Sequence, residues 1–459
     1  MEDFLTGKKH IHFIGIGGSG MYPLAQILHS KGFYLTGSDN NETETLELVR
    51  KMGITVFLGQ SADNIEGADL IVYTAAIMDD NPELIAARES GLTTIERATL
   101  LGLITSKYRN SVCVAGTHGK TTATSMLTQM FLAENIDISA VIGGKLKAIG
   151  GSGIAGSSDT IVCEACEFLD HFLKLSVDVA VVLNVDEDHL DYFKNLENII
   201  SSFHKFCENA TKAVIINGDD VNSMKAVEGI IGKDIITFGK SSGNKWYPEN
   251  IQHIGPLETT FTVMHNNKAI CEAVIHVPGE HNILNAVAAA AAAYYCGVSA
   301  EAVAKGLDEF RGAGRRFEKY GEYGGITVVD DYGHHPAEIG ATLRTAKGMG
   351  FNRVWAVHQP FTYSRTYTLM DDFATALSIA DKTVLTEIMG SREKNTFNVY
   401  SKDLCDKIDG AVWFPEFEQV ADYVSKNAEE GDLVITLGCG DVYKAARMIC
   451  SRLEKKFSK

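Results

Sequence analysis

Proline is scarce, with 8 residues in 459. No Pro-rich linker is present, so the chain must divide at polar turns and at its 43 glycines. Positive charge is also short: 42 Lys and Arg stand against 59 Asp and Glu, a formal net charge of −17. That balance excludes general binding to nucleic acid or to an anionic membrane, which needs a basic surface. Small anionic substrates stay open, because a few cationic side chains and backbone N–H groups can hold phosphate locally. Long apolar runs are missing too. The most apolar helical stretch, Ala286 to Cys296, falls well below the roughly 20 residues that cross a bilayer. The opening MEDFLTGKKHIHFIG has no signal-like apolar core, so no stable membrane insertion and a cytoplasmic location are expected. Nine scattered cysteines, an odd number, fit reduced thiols. The lone C-x-x-C at Cys163 and Cys166 has no second pair to complete a zinc site and reads as packing.

The sequence alternates strand and helix almost throughout. Apolar runs that read as buried parallel strands are His10–Ile14, Leu70–Tyr73, Val112–Ala115, Val179–Leu183, Ala213–Ile216, Ile326–Val329, Arg353–Val357 and Leu433–Leu437. The class is α/β with mainly parallel sheets. Three blocks are expected, 1–107, 108–313 and 314–459, with Thr105–Ser111 as a linker. The six alanines at Ala288–Ala293 read as one buried helix face lying close on a sheet.

Two glycine-rich turns stand out. Gly15-Ile16-Gly17-Gly18-Ser19-Gly20 follows a strand, opens a helix and precedes Asp39 by 19 residues. This is the dinucleotide pattern, in which glycines let backbone approach a pyrophosphate and the acid meets a ribose hydroxyl. By itself it points to an NAD-dependent oxidoreductase, but such a loop grips any nucleotide diphosphate, a UDP-sugar included. The second turn, Gly116-Thr117-His118-Gly119-Lys120-Thr121-Thr122, also joins a strand to a helix. Its N–H groups can cradle phosphates, Lys120 can offset their charge, and the Thr121 hydroxyl can ligate Mg²⁺. It is shorter than the common phosphate loop, with Val114 where a further glycine is usual. Hydride transfer needs no ATP loop, so the pair of turns argues against a simple dehydrogenase.

Chemistry-bearing residues recur at strand ends, the ligand edge of parallel sheets. Glu164 ends an apolar strand and can hold Mg²⁺. The acids around His189 follow another strand, and a solvated loop is the competing reading there. Asn282 can orient phosphate or cap its helix. Arg315 and Arg316 lie near the second block boundary. Asp331 and His334, then Arg365, follow two further strands. Arg365 suits a carboxylate or phosphate, with a structural ion pair as the alternative.

Taken together the chain resembles the Mur ligase family, and within it the alanine-adding branch. The matching segments are GIGGSGM (Gly15–Met21), GTHGKTT (Gly116–Thr122), EACEFLDHFL (Glu164–Leu173), NVDEDHLDYF (Asn184–Phe193), GEHNILNAVAAAAAA (Gly279–Ala293), GAGRRFE (Gly312–Glu318), DDYGHHP (Asp330–Pro336) and QPFTYSRT (Gln359–Thr366). The resemblance implies a Rossmann-like N-terminal domain for the UDP part, a central P-loop-type ATPase domain and a Rossmann-like C-terminal domain. It implies ATP and Mg²⁺ as cofactors, UDP-N-acetylmuramate and L-alanine as substrates, and a monomer or homodimer. The reaction it implies is amide formation through an acyl phosphate.

By motif position, Gly17, Gly18, Ser19, Gly20, Met21, Ser38 and Asp39 would bind the UDP part. Gly116 to Thr122, with Asn282, Arg315 and Asp331, would bind ATP. Thr121, Glu164 and His189 would hold metal, and Lys120, Glu164, His189, His334 and Arg365 would serve catalysis. The chain departs from the family pattern in Phe361, where His is common, and Thr99, where an acid is common. No lysine in the His189 loop supplies the carbamylated metal ligand of some sister ligases. A peptide-adding ligase is the nearest rival, and a nucleotide-binding regulator without catalysis a more distant one.

Overall fold

The computed structural model describes residues 4–75, 77–255, 257–391 and 393–458, without the side chain of Asp191. Three sheets carry the chain. The first has strands β1 (His10–Ile14), β2 (Tyr34–Asp39), β3 (Thr55–Leu58), β4 (Leu70–Tyr73) and β5 (Thr93–Glu96), all parallel in the order β3-β2-β1-β4-β5. Its middle strand β1 is buried from Ile11 to Ile14, as a strand covered by helices on both faces must be.

The second sheet has ten strands: β6 (Asn110–Ala115), β7 (Ser139–Leu146), β8 (Gly151–Ile154), β9 (Thr160–Glu164), β10 (Val179–Val182), β11 (Ala213–Asn217), β12 (Asp234–Phe238), β13 (Trp246–His253), β14 (Thr259–His265) and β15 (Lys268–Ile275). They run in the order β15-β14-β13-β12-β11-β10-β6-β9-β7-β8. The third sheet has β16 (Glu318–Tyr323), β17 (Ile326–Asp331), β18 (Arg353–His358), β19 (Lys382–Leu385), β20 (Val412–Trp413) and β21 (Asp432–Leu437), in the order β16-β17-β21-β18-β19-β20. Only β16 is antiparallel there. The strands β17 and β21 are buried along their whole length.

The chain forms two compact units. One comprises Met1–Ile254, Thr259–His276 and Glu280–Arg311, and so holds the first two sheets; the other comprises Gly255–Glu258, Val277–Gly279 and Gly312–Lys459. Within the first unit the sheets are joined tightly. The polar stretch expected to be a linker is shorter than its composition implies: Thr105 ends the helix Arg97–Thr105, is fully buried, and accepts the Ser176 N–H at 3.0 Å. The glycine loop of the first sheet also meets β8 of the second, where Ser152 Oγ donates to Ser19 O at 2.9 Å.

Two further features depart from the sequence reading. The stretch from Trp246 to Ile275 adds antiparallel strands to the parallel sheet, where only mild alternation such as buried Phe261 and Val263 marks a half-covered surface. The alanine run is buried on all sides rather than on one face: Ala286 and Ala288 through Ala293 are all inaccessible. The helix Glu280–Tyr295 packs on the helices Lys120–Ala133 and Ala300–Glu309 as well as on β11 to β13. Small side chains let all these elements approach. Ala290→Leu is therefore expected to overfill this layer and cost about 1–3 kcal/mol, read as a lower urea midpoint with an unchanged slope. All nine cysteines are free, and Cys163 packs against Cys113 at Sγ–Sγ 3.3 Å. Among the described residues no helix is long and apolar enough to cross a membrane.

Candidate active site

The strongest concentration of chemistry lies at the carboxyl edge of three neighbouring parallel strands, β10, β6 and β9. The turn after β6 carries Gly116 to Gly119, and Gly119 has φ +86° immediately before the helix Lys120–Ala133. A side chain at Gly119 would clash with Asn285, whose Oδ1 lies 2.6 Å from the Cβ position. The loop after β10 pins the turn. Asn184 accepts the His118 N–H at 2.8 Å and donates to His118 O at 3.0 Å, and the Asp186 N–H reaches Thr117 Oγ1 at 2.9 Å.

Lys120 is folded over its own loop. Its Nζ donates to Gly116 O at 2.7 Å and meets Glu167 at 2.9 Å. Burial opposes its charge, but the surrounding charges, Glu167 foremost, outweigh this and hold its pKa above the usual lysine value. Thr121 Oγ1 lies 2.9 Å from Glu164 Oε2, which also accepts the Gly143 N–H at 2.8 Å. Beyond them Glu167, Asp188 and His189 bring one ligand atom each within 4.8 Å of one another. His189 sits at φ +52°, with its ring 4.7 Å from that of Phe168.

This donor set fits Mg²⁺. Glu164 and Glu167 both act on the single ammonium group of Lys120, and hydroxyl and carboxylate oxygens are the hard ligands that such an ion takes. Thr121 and Glu164 offer one set of oxygen donors, and Glu167, Asp188 and His189 form a second group of donor atoms.

At the first glycine loop the carboxylate of Asp39 accepts the Gly17 N–H at 3.0 Å. In the C-terminal unit Asp331, His334 and Arg365 lie at the carboxyl edge of β17 and β18. Asp331 accepts N–H groups from Phe317 and Gly333, each at 2.9 Å, and burial pushes its pKa up. Arg365 donates to Phe361 O at 3.0 Å, and the Phe361 ring lies 6.5 Å from the His334 ring. Burial, aided by the Arg365 charge, lowers the pKa of His334.

Three family models match the chain: the Mur ligase family catalytic domain over residues 10–109, the Mur ligase middle domain over 114–293, and the Mur ligase glutamate ligase domain over 315–440. The chain belongs to the Mur ligase family. A UDP-N-acetylmuramate–L-alanine ligase of Acetivibrio thermocellus is 46% identical over 447 residues, covering 96% of this chain and 95% of that one. The crystal structure of a UDP-N-acetylmuramate-alanine ligase from Thermotoga maritima superposes with a TM-score of 0.84 at 29% identity, covering 98% of this chain and 100% of that one. A murein peptide ligase from Psychrobacter arcticus superposes at 0.74 with 25% identity, covering 97% and 98%.

In this Mur ligase the residues expected from sequence differ in how far they are open to solvent and in how much of their bonding is taken up within the protein. Lys120, Thr121, Glu164 and His189 converge. Gly17, Gly18, Ser19, Gly20 and Asp39 reach the surface of the first loop, whereas Met21 and Ser38 are buried beneath it. The Ser38 hydroxyl is held by Glu83 at 2.5 Å and its carbonyl anchors the Gly15 and Ile16 N–H groups. Asn282 lies inside the helix Glu280–Tyr295 rather than capping it, bonded to Asn285 at 3.1 Å. Arg315 spends its guanidinium on structure, at 2.8 Å from Asp330 and on the carbonyls of 438–440.

Glu167, Asn285 and the bracket formed by Asn184 were missed as site residues. Their signals were an acid three residues after Glu164 and a second Asn three residues after Asn282, on an otherwise apolar helix.

Glu96 ties this region to the first sheet. It meets His171 Nε2 at 2.8 Å and Lys174 Nζ at 2.7 Å, on the segment that follows Glu167. The His171 hydrogen bond, with Lys174 behind it, lowers its pKa from 4.5 to about 2. A depressed carboxylate stabilises the fold above its unfolded value and loses that contribution as pH falls through the folded one. The stability gap between wild type and Glu96→Gln should therefore be full above about pH 4.5, on the order of 3 kcal/mol or less, and close toward pH 2. Urea midpoints across that range measure it.

Proposed function

We propose that this Mur ligase joins L-alanine to the lactyl carboxylate of UDP-N-acetylmuramate, converting ATP to ADP and phosphate. The observation that carries the reading is full-length similarity to ligases of that name, together with the Lys120–Thr121–Glu164 arrangement at the edge of β6 and β9. The murein peptide ligase superposes less well than the alanine ligase, which favours a single amino acid over a peptide as acceptor.

A carboxylate resists attack because its leaving group would be an oxide. Phosphorylation by ATP makes phosphate the leaving group, and the alanine amine then displaces it. The first step brings two anions together. Lys120, held in place by Glu167 and its own loop, offsets charge on the ATP phosphates, and the loop N–H groups orient them. Mg²⁺ at Thr121 and Glu164 would supply further positive charge there.

In the C-terminal unit we assign Arg365 to the alanine carboxylate and His334 to the proton of its ammonium group. Burial favours neutral His334, the form that accepts a proton. Free thiols and water-soluble phosphorylated substrates suit the cytoplasm.

The test is phosphate release from ATP with Mg²⁺, UDP-N-acetylmuramate and L-alanine, leaving out one component at a time. Release needing all of them, with alanine preferred to glycine, serine and a tripeptide, supports the reading. A tripeptide preference would move it to the peptide-adding branch, and no release by folded protein would remove it. Lys120→Ala is expected to lower kcat by at least about 10³-fold while UDP-N-acetylmuramate still binds in calorimetry. Because the His334 pKa is lowered, the acid limb of the kcat profile should lie below the ordinary histidine value of 6.5. His334→Asn should erase that limb and cut kcat by about 10²–10⁴-fold.

A further inference from the structure

The loops after β18, β19 and β21 leave the third sheet at one edge and interlock there. Gln359, just after β18, accepts the Asp441 N–H at 2.8 Å. Met389, after β19, donates its N–H to Pro360 O at 2.9 Å and bridges Phe361 as a short parallel pair. Gly440 fits where these loops meet: a Cβ on it would stand 2.5 Å from Gln359 Oε1 and 2.6 Å from Met389 Sδ. From this junction the chain enters the helix Tyr363–Thr368, which carries Arg365.

Glu393 closes the arrangement from the β19 side, where it is half-buried. Its Oε1 accepts the hydroxyls of Thr362 at 2.7 Å and Ser364 at 2.5 Å, and its Oε2 accepts the Ser364 N–H at 2.8 Å. That N–H belongs to the first turn of the helix, where no carbonyl of the helix can receive it. The Tyr363 ring lies over Gly390, where any Cβ would strike it. Burial opposes the Glu393 charge, but the bonds from Ser364 and Thr362, with the Arg365 charge behind them, outweigh this and hold its pKa below the usual carboxylate value. Arg365 is near this acid yet makes no ion pair with it. Among the described residues its guanidinium donates only to Phe361 O, at 3.0 Å. The Glu393 oxygens are committed instead to the backbone and hydroxyls just ahead of Arg365.

We propose that Glu393 is a positioning residue of the acceptor site: it fixes the turn from which Arg365 projects and leaves that guanidinium free for the carboxylate of the incoming amino acid. The inference rests on the reading above, in which Arg365 meets the alanine carboxylate, and adds to it the residue that holds Arg365 in place. A carboxylate paired directly with Arg365 would compete with the substrate. One bonded to hydroxyls and an N–H balances the guanidinium from farther off and anchors its backbone. The planar fork must be aimed to meet a carboxylate at two points. A loosened turn therefore weakens capture of the amino acid and leaves formation of the acyl phosphate intact.

The test is steady-state kinetics of wild type, Glu393→Ala, Glu393→Gln, Ser364→Ala and Arg365→Met with two nucleophiles. L-Alanine carries a carboxylate. Hydroxylamine carries none, and its attack on the acyl phosphate gives a hydroxamate and phosphate. Glu393→Ala should raise the KM for alanine by about 10- to 100-fold, the worth of a well-aimed charged hydrogen-bond pair, with kcat falling less. Hydroxamate formation and the KM for ATP should stay within about threefold. Glu393→Gln keeps one acceptor oxygen and should recover part of the loss. Ser364→Ala should show a smaller rise of the same kind, and these two variants carry the comparison if Glu393→Ala does not fold. An unchanged alanine KM in the folded Glu393 and Ser364 variants, with Arg365→Met impaired, would overturn the inference. So would equal losses for alanine and hydroxylamine, the mark of a purely structural role. An unchanged alanine KM in Arg365→Met would instead overturn the Arg365 assignment, and the inference with it. Wild-type protein that makes neither amide nor hydroxamate would overturn the proposed function itself, a result distinguishable from the others.

Discussion

A lysine ammonium group is held among carboxylates at the edge of a parallel sheet, and much of the molecule is arranged around that pair of opposite charges. Lys120 is only 15% exposed and Glu167 only 3%. Either charge alone at such depth would be costly, and removing one partner of a buried pair strands the other. The pair therefore demands that Glu167 be placed accurately. Glu167 precedes the turn Phe168–Lys174, and that turn is tied through His171 and Lys174 to Glu96 in the first sheet. Glu164 is fixed in turn by the Gly143 N–H of β7. The site is thus a property of the whole first unit, not of the glycine turn alone.

The parallel arrangement makes this convergence possible. In β10, β6 and β9 every chain leaves the sheet at the same edge, so loops distant in sequence meet there. Asn184, after β10, can bond both sides of His118 because their strands are neighbours. The helix Glu280–Tyr295 brings Asn285 against Gly119 from more than 150 residues away in sequence. Its alanines make that approach possible, since larger side chains would hold the two helices apart. The first sheet repeats the principle: Asp39 at the end of β2 reaches the Gly17 N–H in the loop after β1.

Much of the fold was legible because buried parallel strands are continuous apolar runs. His10–Ile14 and Leu70–Tyr73 have the bounds their composition implies. The antiparallel strands from Trp246 to Ile275 were not legible. Their residues alternate only weakly, and an edge strand half open to water needs no continuous apolar run. The run of six alanines reads as one buried helix face, yet a residue as small as alanine is compatible with contact on every side.

The sequence by itself determined the strand–loop–helix units, the two glycine turns and the ligating residue types, because these depend on local propensity and on residues a few positions apart. Tertiary structure decided which polar groups are free and which are already taken. Ser38 and Arg315 have the right chemistry for a ligand but are bonded inward. Arg97 stands beside Gly20, and among the described residues no hydrogen bond or ion pair takes up its charge. Whether a side chain can serve a ligand depends on its neighbours in space, and those come from strands and helices that chain order does not place together.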